Sequence, residues 1–474
     1  MASRSRIEFG DWQTPEELAA QVIQHVLTQL RHTPQTILEP TCGKGAFLVA
    51  AARHLPQVTF AGYEINAEYA AMAATRVKET RSAIHTADFF GTDWEREIAA
   101  LQDPILVVGN PPWVTSAGLG TIGSQNLPKK QNFKGLSGID AVTGKSNFDV
   151  SEWMILRLLR ALAGREATLA MLCKSAVARR VVEYCTKNNG KISPGGVWRI
   201  DAAKHFQAAV DAVLFVCQIG THSEKSKSWP VYSALDVQAP ESSFGVVDGE
   251  LVADIVAYDR SRMIAGHSDP EWRSGIKHDC ARIMELVAEE GHWKNGFGEA
   301  VEIESRFRFP LLKSSDIANG RGTSHRTVIV PQRALGEDTR ALRQKAPKLW
   351  AYLEKHAKLL DGRKSAIYKK QPPFAIFGVG KYSFAPWKVA ISGLYKRLRF
   401  CVVGPLQQKP VMLDDTCYFL PFSSEGDARR AARALESELA GDYFRGRVFW
   451  DAKRPISKAI LQGLELRRLF DALR

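Results

Sequence analysis

The sequence predicts an α/β protein: a doubly wound sheet in the first half of the chain, followed by a basic domain of mixed α and β structure. Between residues 14 and 217, short apolar runs alternate with segments of helical apolar spacing, which is typical of strands joined by helices in one parallel sheet. Several of these runs end in glycine, an acid or an amide, and the excess of cations lies in the last part of the chain. The alternation and the residues at the ends of the runs predict the sheet, and the excess of cations predicts the second domain.

The chain has 474 residues, of which 45% are hydrophobic and 24% charged, enough for two or three domains with their own cores. It has no run of about 18 apolar residues to span a membrane, and its amino terminus lacks the apolar segment of a signal peptide. We therefore expect a cytoplasmic protein with no membrane partner. The seven cysteines are scattered and form no Cys-x-x-Cys pair, so neither a disulfide framework nor a metal site is expected.

Charge divides the chain into two parts. Residues 1–270 hold 27 lysines and arginines against 28 acids, whereas residues 271–474 hold 37 against 23, so the net charge of +13 comes from the C-terminal part. This asymmetry indicates a nucleic-acid-binding module joined to a roughly neutral one, with a merely solvated basic surface as the alternative. We expect domains at 1–230 and 271–474, joined by a polar, turn-rich segment at 231–270.

The neutral part begins with a predicted helix that Thr14 caps and Pro15 opens. A strand ending at Glu39 follows, then the turn Cys42-Gly43-Lys44-Gly45 and a second helix. The next two strands end near Glu64 and Asp88. Because the carboxyl ends of strands in such a sheet line the ligand crevice, these residues are candidates for one site.

The spacing of the turn and the acids favours a nucleoside ligand. Glu64 follows Gly45 by 19 residues, the separation at which an acid accepts hydrogen bonds from ribose hydroxyls. The G-x-G-x-x-G spacing of dinucleotide binders is absent, so a cofactor with ribose and adenine but no pyrophosphate fits better. Asp88 is then placed to accept from the adenine amine, with Phe89 against the ring. Solvated acids at strand ends are the alternative interpretation.

The fourth apolar run, Ile105 to Gly109, stops at Asn110-Pro111-Pro112-Trp113. Two prolines cannot continue a strand ladder, because neither has an N–H and each fixes φ at about −65°. The Asn110 amide oxygen and the Pro111 carbonyl offer two acceptors, and Trp113 offers a flat ring. Together they suit a planar amine, although a strand-ending turn with a core tryptophan produces the same pattern.

Residues 114–147 are polar and glycine-rich and are expected to form a lid or a substrate-clamping segment. Later apolar runs complete an expected sheet of seven or eight strands. Phe206 precedes the last of them and is a candidate second aromatic face of the pocket, with a core position as the alternative. Beyond residue 271, aromatic residues and cations are interleaved, as in Tyr395-Lys396-Arg397, which suits contact with phosphates and bases.

This ordered set resembles the amino-methyltransferases that transfer a methyl group from S-adenosylmethionine to N6 of adenine in DNA. The likeness extends along nearly the whole chain and is to the gamma arrangement, in which cofactor motifs precede the Asn-Pro-Pro-aromatic motif and a target recognition domain comes last. It implies a Rossmann-like methyltransferase sheet. It also implies a catalytic motif of Asn110, Pro111, Pro112 and Trp113, with tryptophan where many members have tyrosine or phenylalanine.

The same resemblance implies two further sets of site residues. S-adenosylmethionine would be held by Thr14, Glu39, Cys42, Gly43, Gly45, Glu64, Ile65, Asp88, Phe89 and Asn110. A flipped adenine would be stacked by Trp113 and Phe206. No metal is implied.

As a biological role, the resemblance implies modification of double-stranded DNA in a restriction-modification or phage-defence system. A separate cognate restriction endonuclease is compatible with this role as a partner. It implies a monomer in the cytoplasm, associated with the nucleoid. RNA bases and a protein glutamine amide stay open as substrates, because both are planar nitrogens that the same motif serves. A DNA-recognition subunit without catalytic activity is a further alternative.

Overall fold

The computed structural model describes residues 13–115, 149–220, 228–289 and 291–474. The substrate-clamping segment expected at 114–147 lies outside them except at its first two residues. The chain divides into two compact units, Met1–Ile255 and Val256–Arg474, and the division falls inside the segment expected to connect two domains. Within the described ranges, no helix has the length and apolar character needed to cross a membrane.

Unit 1 is organised around a ten-stranded sheet. Its strands are β1 (Thr36–Glu39), β2 (Thr59–Glu64), β3 (Arg81–Thr86), β4 (Ile105–Gly109), β5 (Ala167–Lys174), β6 (Ile192–Ile200), β7 (Ala212–Ile219), β8 (Trp229–Tyr232), β9 (Ser242–Val247) and β10 (Glu250–Val252). Its helices include α1 (Glu16–Gln29), α2 (Ala46–His54), α3 (Ala67–Arg76), α4 (Trp94–Ala99), α5 (Val150–Ala161), α6 (Ser175–Lys187) and α7 (Ala202–Phe206). The strand order is β10-β9-β8-β6-β7-β5-β4-β1-β2-β3.

The strands from β3 to β5 in this order are parallel neighbours, as the alternation of strands and helices predicts. β7 instead runs antiparallel to both of its neighbours, β5 and β6, so the expectation of a wholly parallel sheet is wrong at this side. An apolar run shows that a strand is buried and does not show its direction. The segment expected to connect two domains supplies β9, β10 and the second half of β8, short strands that mix buried and partly exposed residues.

The helices cover the sheet through apolar stripes. Leu18, Val22, Ile23 and Val26 recur at helical spacing along α1 and are fully buried in one cluster with α2 and the central strands. Burial of each such side chain contributes about 1.5–3 kcal/mol to folding. β1 and β4 are paired in parallel under this layer, so their carboxyl ends lie side by side.

Unit 2 has the mixed α and β structure that was expected. One sheet has the order β11-β19-β16-β17 and another the order β13-β12-β15-β14-β18. The strands are β11 (Arg273–Ser274), β12 (Glu285–Glu289), β13 (His292–Lys294), β14 (Arg308–Leu312), β15 (Arg326–Ile329), β16 (Trp387–Ser392), β17 (Cys401–Val403), β18 (Met412–Leu413) and β19 (Cys417–Phe422). The α-helices include α8 (Ile255–Ser261), α9 (Ala281–Met284), α10 (Ser314–Ala318), α11 (Leu342–Lys345), α12 (Pro347–Lys355), α13 (Ala357–Asp361), α14 (Glu425–Leu435), α15 (Glu438–Arg447), α16 (Lys458–Gln462) and α17 (Leu466–Ala472).

Separate apolar clusters stabilise unit 2. α14, α15 and α17 pack against β16 and β19 around Trp272, Tyr443 and Phe444. α12 packs against the other sheet around Phe309 and Leu349. Unit 2 therefore has cores of its own, as a recognition domain would need.

Candidate active site

The carboxyl ends of β1 to β4 open onto a cavity of about 570 Å³. Each strand end contributes a residue that the sequence singled out: Glu39 and Glu64 are the last residues of β1 and β2, and Asp88 and Asn110 follow β3 and β4. The other predicted residues in the lining are Thr14, Cys42, Gly43, Ile65, Phe89 and Pro112. Ten residues chosen from strand ends and motifs are thus brought to one cavity.

Glu64 is held by backbone N–H groups. Its Oε2 accepts from the Gly43 N–H at 2.8 Å and its Oε1 from the Asn66 N–H at 2.9 Å. Asn66 in turn caps α3, since its side chain accepts from the N–H groups of Glu68 and Tyr69. The carboxylate is therefore fixed at the rim of the turn.

The turn needs glycine at two positions. Gly43 and Gly45 have φ of +50° and +77°, in the left-handed region that favours glycine. A Cβ at Gly43 would also lie 2.7 Å from Gln13 Oε1, the atom that accepts from the Lys44 N–H at 3.2 Å. Gly45 is not part of the cavity lining; it supports the start of α2 and packs against Ala73.

Glu39 is the buried acid of the cavity. It is 3% exposed, and its Oε2 has no hydrogen-bond partner among the described residues. Burial raises the pKa of this carboxyl well above its ordinary value, with the Glu64 charge adding to the effect. A buried carboxyl with an unused oxygen is suited to accept a hydrogen bond from a cationic ligand.

Asp88 and the aromatic residues around it form another wall of the cavity. Asp88 Oδ1 accepts from the Phe90 N–H at 3.0 Å. Phe89 is 5% exposed and packs on Trp94 at 4.7 Å between ring centroids, so its ring belongs to the core as much as to the cavity. Phe90, which the sequence analysis did not single out, lines the cavity too and contacts Trp153 at 5.2 Å.

Asn110 is oriented by Thr14. The Asn110 Nδ2 donates to Thr14 Oγ1 at 3.3 Å, and both side chains line the cavity. The predicted cap is displaced by one residue: α1 begins at Glu16, Pro15 is the N-cap residue, and it makes no side-chain capping bond. The expected capping role of Thr14 is therefore wrong, and its hydroxyl bonds the motif asparagine instead.

Trp113 and Phe206 contact each other. Their ring centroids are 5.0 Å apart at an interplanar angle of 69°, and neither residue is part of the cavity lining. Phe206 is 4% exposed, and Trp113 packs against the same apolar cluster. Two rings on either face of a base would be about 7 Å apart, since each stacked contact takes about 3.5 Å. The observed 5.0 Å leaves no room for a base between the rings, so in this arrangement Phe206 packs edge to face on Trp113 and supports it.

Several lining residues carry no signal that the sequence analysis used. Tyr69 and Met154 come from helices α3 and α5, and Thr41 and Ala87 are small residues beside the predicted ones. Asn66 was detectable in principle, because an asparagine two residues after a strand-end acid is typical of a helix cap. Met154 was not, since only the fold brings it to the cavity.

The cavity fits S-adenosylmethionine. Three carboxyl groups line it, and the described lining residues include no lysine or arginine, which suits a ligand with a positive sulfonium and ammonium. Glu39 has an unused buried oxygen, and the carboxylates of Glu64 and Asp88 are held by backbone N–H groups at neighbouring strand ends. Cys42 contributes an uncharged thiol to the lining, because burial raises the pKa of this group.

Comparison with known proteins gives the same result. Residues 1–178 match the family model described as N-6 DNA Methylase. The Type II methyltransferase M.NspV of Nostoc sp. is 42% identical over 469 residues, which cover 98% of this chain and 97% of that protein.

The chain is also similar to solved structures. The Type IIL restriction-modification enzyme MmeI, in a structure of its complex with DNA, is 14% identical with a TM-score of 0.55, over 98% of this chain and 69% of that one. A putative class I S-adenosylmethionine-dependent methyltransferase from Listeria monocytogenes is 14% identical with a TM-score of 0.37, over 48% of this chain and 68% of that one.

The sheet and its acid-lined cavity define an S-adenosylmethionine-dependent methyltransferase. The chain belongs to the Type II DNA methyltransferases and is a site-specific, adenine-specific enzyme of the restriction-modification class. The resemblance seen in the sequence is confirmed. DNA as the substrate fits this membership.

Proposed function

We propose that Asn110, Pro111 and Trp113 carry out methyl transfer to N6 of an adenine that has been flipped out of duplex DNA. The observation that supports this most is the place of Asn110: it follows β4 and lines the same cavity as Glu39, Glu64 and Asp88. The motif thus adjoins the cofactor residues, as an attack on a sulfonium methyl requires.

The chemistry follows from the acceptors. The exocyclic nitrogen of adenine is a weak nucleophile because its lone pair is delocalised into the ring. Hydrogen bonds from this amine to the Asn110 side-chain oxygen and the Pro111 carbonyl favour a pyramidal nitrogen with a localised lone pair. S-adenosylmethionine supplies the methyl group: the carbon–sulfur bond breaks with its electrons on sulfur, the carbon–nitrogen bond forms, and N6 releases a proton to water. Positioning and electrostatics provide most of the acceleration.

The target base must leave the helix, since the cavity cannot reach N6 inside a duplex. We assign Trp113 as the ring on which the flipped base stacks. Phe206 packs against Trp113 in the described arrangement, so it takes the second face of the base only if the two rings separate. Otherwise it fixes the orientation of Trp113.

We assign duplex recognition to unit 2, and within it to a basic surface formed by residues 319–325 and 393–399. Neither segment contains an acid. Exposed cationic and imidazole side chains come from both segments: Arg321, His325, Lys396, Arg397 and Arg399. Leu394 and Tyr395 are 38% and 40% exposed among them. Cations beside exposed apolar side chains suit phosphate contact combined with contact to bases.

Internal contacts hold the two segments of the basic surface together. The Arg399 guanidinium fills the space that a Cβ at Gly320 would take. The Ser314 and Ser392 hydroxyls share a hydrogen bond, and Ser392 Oγ also accepts from the N–H groups of Leu394 and Tyr395 at 3.2 Å each. The turn at 393–395 is thus fixed in place next to 319–325.

The first experiment tests the chemistry. Asn110→Ala should lower tritium transfer from labelled S-adenosylmethionine to duplex DNA by about 10²–10³-fold, while cofactor affinity measured by calorimetry stays nearly unchanged. The duplex should carry the site found by single-molecule sequencing of DNA from cells that express the enzyme. Retained transfer by the variant would exclude the proposed role. Label in RNA or in a glutamine peptide instead of DNA would favour the other substrates.

The second experiment tests the basic surface. Lys396→Gln with Arg397→Gln should weaken duplex binding and reduce the slope of log affinity against log salt by about 2. Lys369→Gln with Lys370→Gln removes the same charge from an exposed pair outside the two segments and should leave more of the slope intact. Equal losses of duplex affinity and of salt dependence in the two double variants would contradict the assignment of DNA binding to this surface.

We further propose that the enzyme acts as a monomer beside a separate restriction endonuclease, at the nucleoid in the cytoplasm, where its substrate lies. The likeness to M.NspV, which is named a methyltransferase, over 97% of that protein supports this proposal. Sedimentation of the enzyme with and without duplex tests the monomer. A dimer in both conditions would contradict it.

A further inference from the structure

Lys174, the last residue of β5, lies next to the proposed catalytic motif. Its Nζ donates to the backbone carbonyl of Trp113 at 2.9 Å and lies 2.6 Å from Asp149 Oδ2. Asp149 is 4% exposed, and the Lys174 side chain is 23% exposed. A charged pair is therefore held against the backbone of Trp113 in a largely buried position.

Asp149 is itself fixed by other bonds. Its Oδ1 accepts from the Ser151 hydroxyl at 2.6 Å and from the Ser151 N–H at 3.2 Å, which caps α5. Asp149 also forms an antiparallel bridge with Thr115, and the Val150 N–H donates to the Val114 carbonyl at 2.9 Å. With both carboxylate oxygens engaged, the Lys174 ammonium is held in one place.

Trp113 receives a second bond from the same strand, because its indole Nε1–H donates to the Leu172 carbonyl at 3.3 Å. The residues before it have little means of anchorage, since Pro111 and Pro112 lack N–H groups. A side-chain donor from another element can hold a segment that lacks N–H groups by bonding to one of its carbonyls. Lys174 is such a donor, since its Nζ bonds to the Trp113 carbonyl.

We propose that Lys174 and Asp149 are a positioning pair that sets the direction of the segment Asn110–Trp113, and hence the capture of the target base. The inference rests on the proposed function of that motif. Neither residue is part of the cofactor cavity lining. The pair acts on the base and the methyl-transfer step, and cofactor affinity is independent of it.

A matched control exists in the same region. Arg180 on α6 pairs with Glu152 on α5, which is 7% exposed. Lys174 immediately precedes α6 and Asp149 immediately precedes α5, so the two ion pairs connect the same two helices. Only the Lys174 pair bonds Trp113. Loss of either ion pair should lower the stability of the protein. Only loss of the Lys174–Asp149 pair should also disturb the segment Asn110–Trp113.

The test compares Lys174→Met with Arg180→Met in the full chain. Lys174→Met should lower kcat by about 10–100-fold, the size expected for a lost charged hydrogen bond, with S-adenosylmethionine affinity within about twofold. It should also reduce the fluorescence rise of 2-aminopurine placed at the target position. Arg180→Met should retain kcat and the fluorescence rise. Lys174→Arg should recover part of the loss.

Asp149→Asn separates the charge from the cap, because asparagine caps helices as well as aspartate. This variant should keep the helix cap, lose only the stability that the ion pair supplies, and show part of the kcat loss. Normal kcat and a normal fluorescence rise in Lys174→Met would overturn the inference, as would an equal kcat loss in Arg180→Met. If Asn110→Ala were also fully active, the proposed function itself would fail; if only Lys174→Met were active, the positioning role alone would fail.

Discussion

Thr14 Oγ1 accepts a hydrogen bond from Asn110 Nδ2 at 3.3 Å, so a residue just before the first helix orients the amide of the proposed catalytic asparagine. An amide group is nearly symmetric in shape, and its two ends differ only in which one donates. A hydroxyl that accepts from the nitrogen directs the oxygen to the opposite side.

Thr14→Val should lower kcat about tenfold, equivalent to about 1.4 kcal/mol in the barrier, because the amide loses the bond that orients it. Valine keeps the shape of threonine and removes only the hydroxyl. Thr14→Ser restores the hydroxyl and should recover most of the rate in steady-state tritium transfer. Equal rates for the valine variant and the wild type would show that Asn110 is oriented without Thr14.

Glu39 predicts a pH dependence of cofactor affinity. Burial raises the pKa of this carboxyl, which keeps it protonated as pH rises beyond the ordinary range of a glutamate. The cation S-adenosylmethionine favours the ionised form, so affinity should increase with pH through the raised pKa, with release of up to one proton. Calorimetry in two buffers of different ionisation enthalpy measures that proton. Glu39→Gln should bind with a smaller pH slope and less proton release; an unchanged slope would mean that another group titrates.

The contact between Trp113 and Phe206 leads to a test of their roles. Trp113→Phe keeps a flat ring and should retain much of the activity, whereas Trp113→Ala should abolish the 2-aminopurine fluorescence rise. Phe206→Leu keeps most of the buried volume. If Phe206 only supports Trp113, this variant should flip the base almost normally and lose about 1 kcal/mol or less of stability. A large loss of the fluorescence rise with unchanged stability would instead indicate that Phe206 stacks on the base.

Lys388 on β16 predicts a pH-dependent stability in unit 2. It is 1% exposed, its Nζ donates to the Ala385 carbonyl at 2.7 Å, and burial lowers its pKa from 10.5 to about 7. Between these values the unfolded chain binds a proton that the folded chain does not, so the destabilisation is largest below about pH 7 and disappears as pH rises through 10.5.

Lys388→Met should therefore raise the melting temperature at about pH 7, by an amount equivalent to at most about 4 kcal/mol. The gain should shrink at about pH 9.5, where the unfolded amine itself begins to lose its proton. Thermal melts of the wild type and the variant at both pH values measure the difference in melting temperature between them. Other titrating groups contribute equally to both proteins, so their effect cancels in this difference. A gain that does not depend on pH would come from packing alone.

The meeting of the strand-end residues at one cavity was predictable where short-range pattern decides structure. Glu64 and Asn110 stand at the ends of apolar runs that are typical of buried strands, and strand ends in this fold converge on one edge. The role of Thr14 was not predictable, because a threonine before Pro15 has the pattern of a helix cap and its actual partner lies 96 residues away. The antiparallel direction of β7 and the contact between Trp113 and Phe206 depend on chain topology, which apolar spacing does not encode. β8 to β10 were missed because partly buried strands among turn residues lack a clear alternation.

The cavity-lining residues all lie between Gln13 and Met154, whereas unit 2 has apolar cores of its own. A substitution on the surface of unit 2 therefore need not disturb the residues that line the cavity. With recognition assigned to unit 2 as proposed, the choice of DNA sequence and the chemistry of transfer can evolve at independent rates. A new specificity can then arise by small steps, each of which leaves a working methylase.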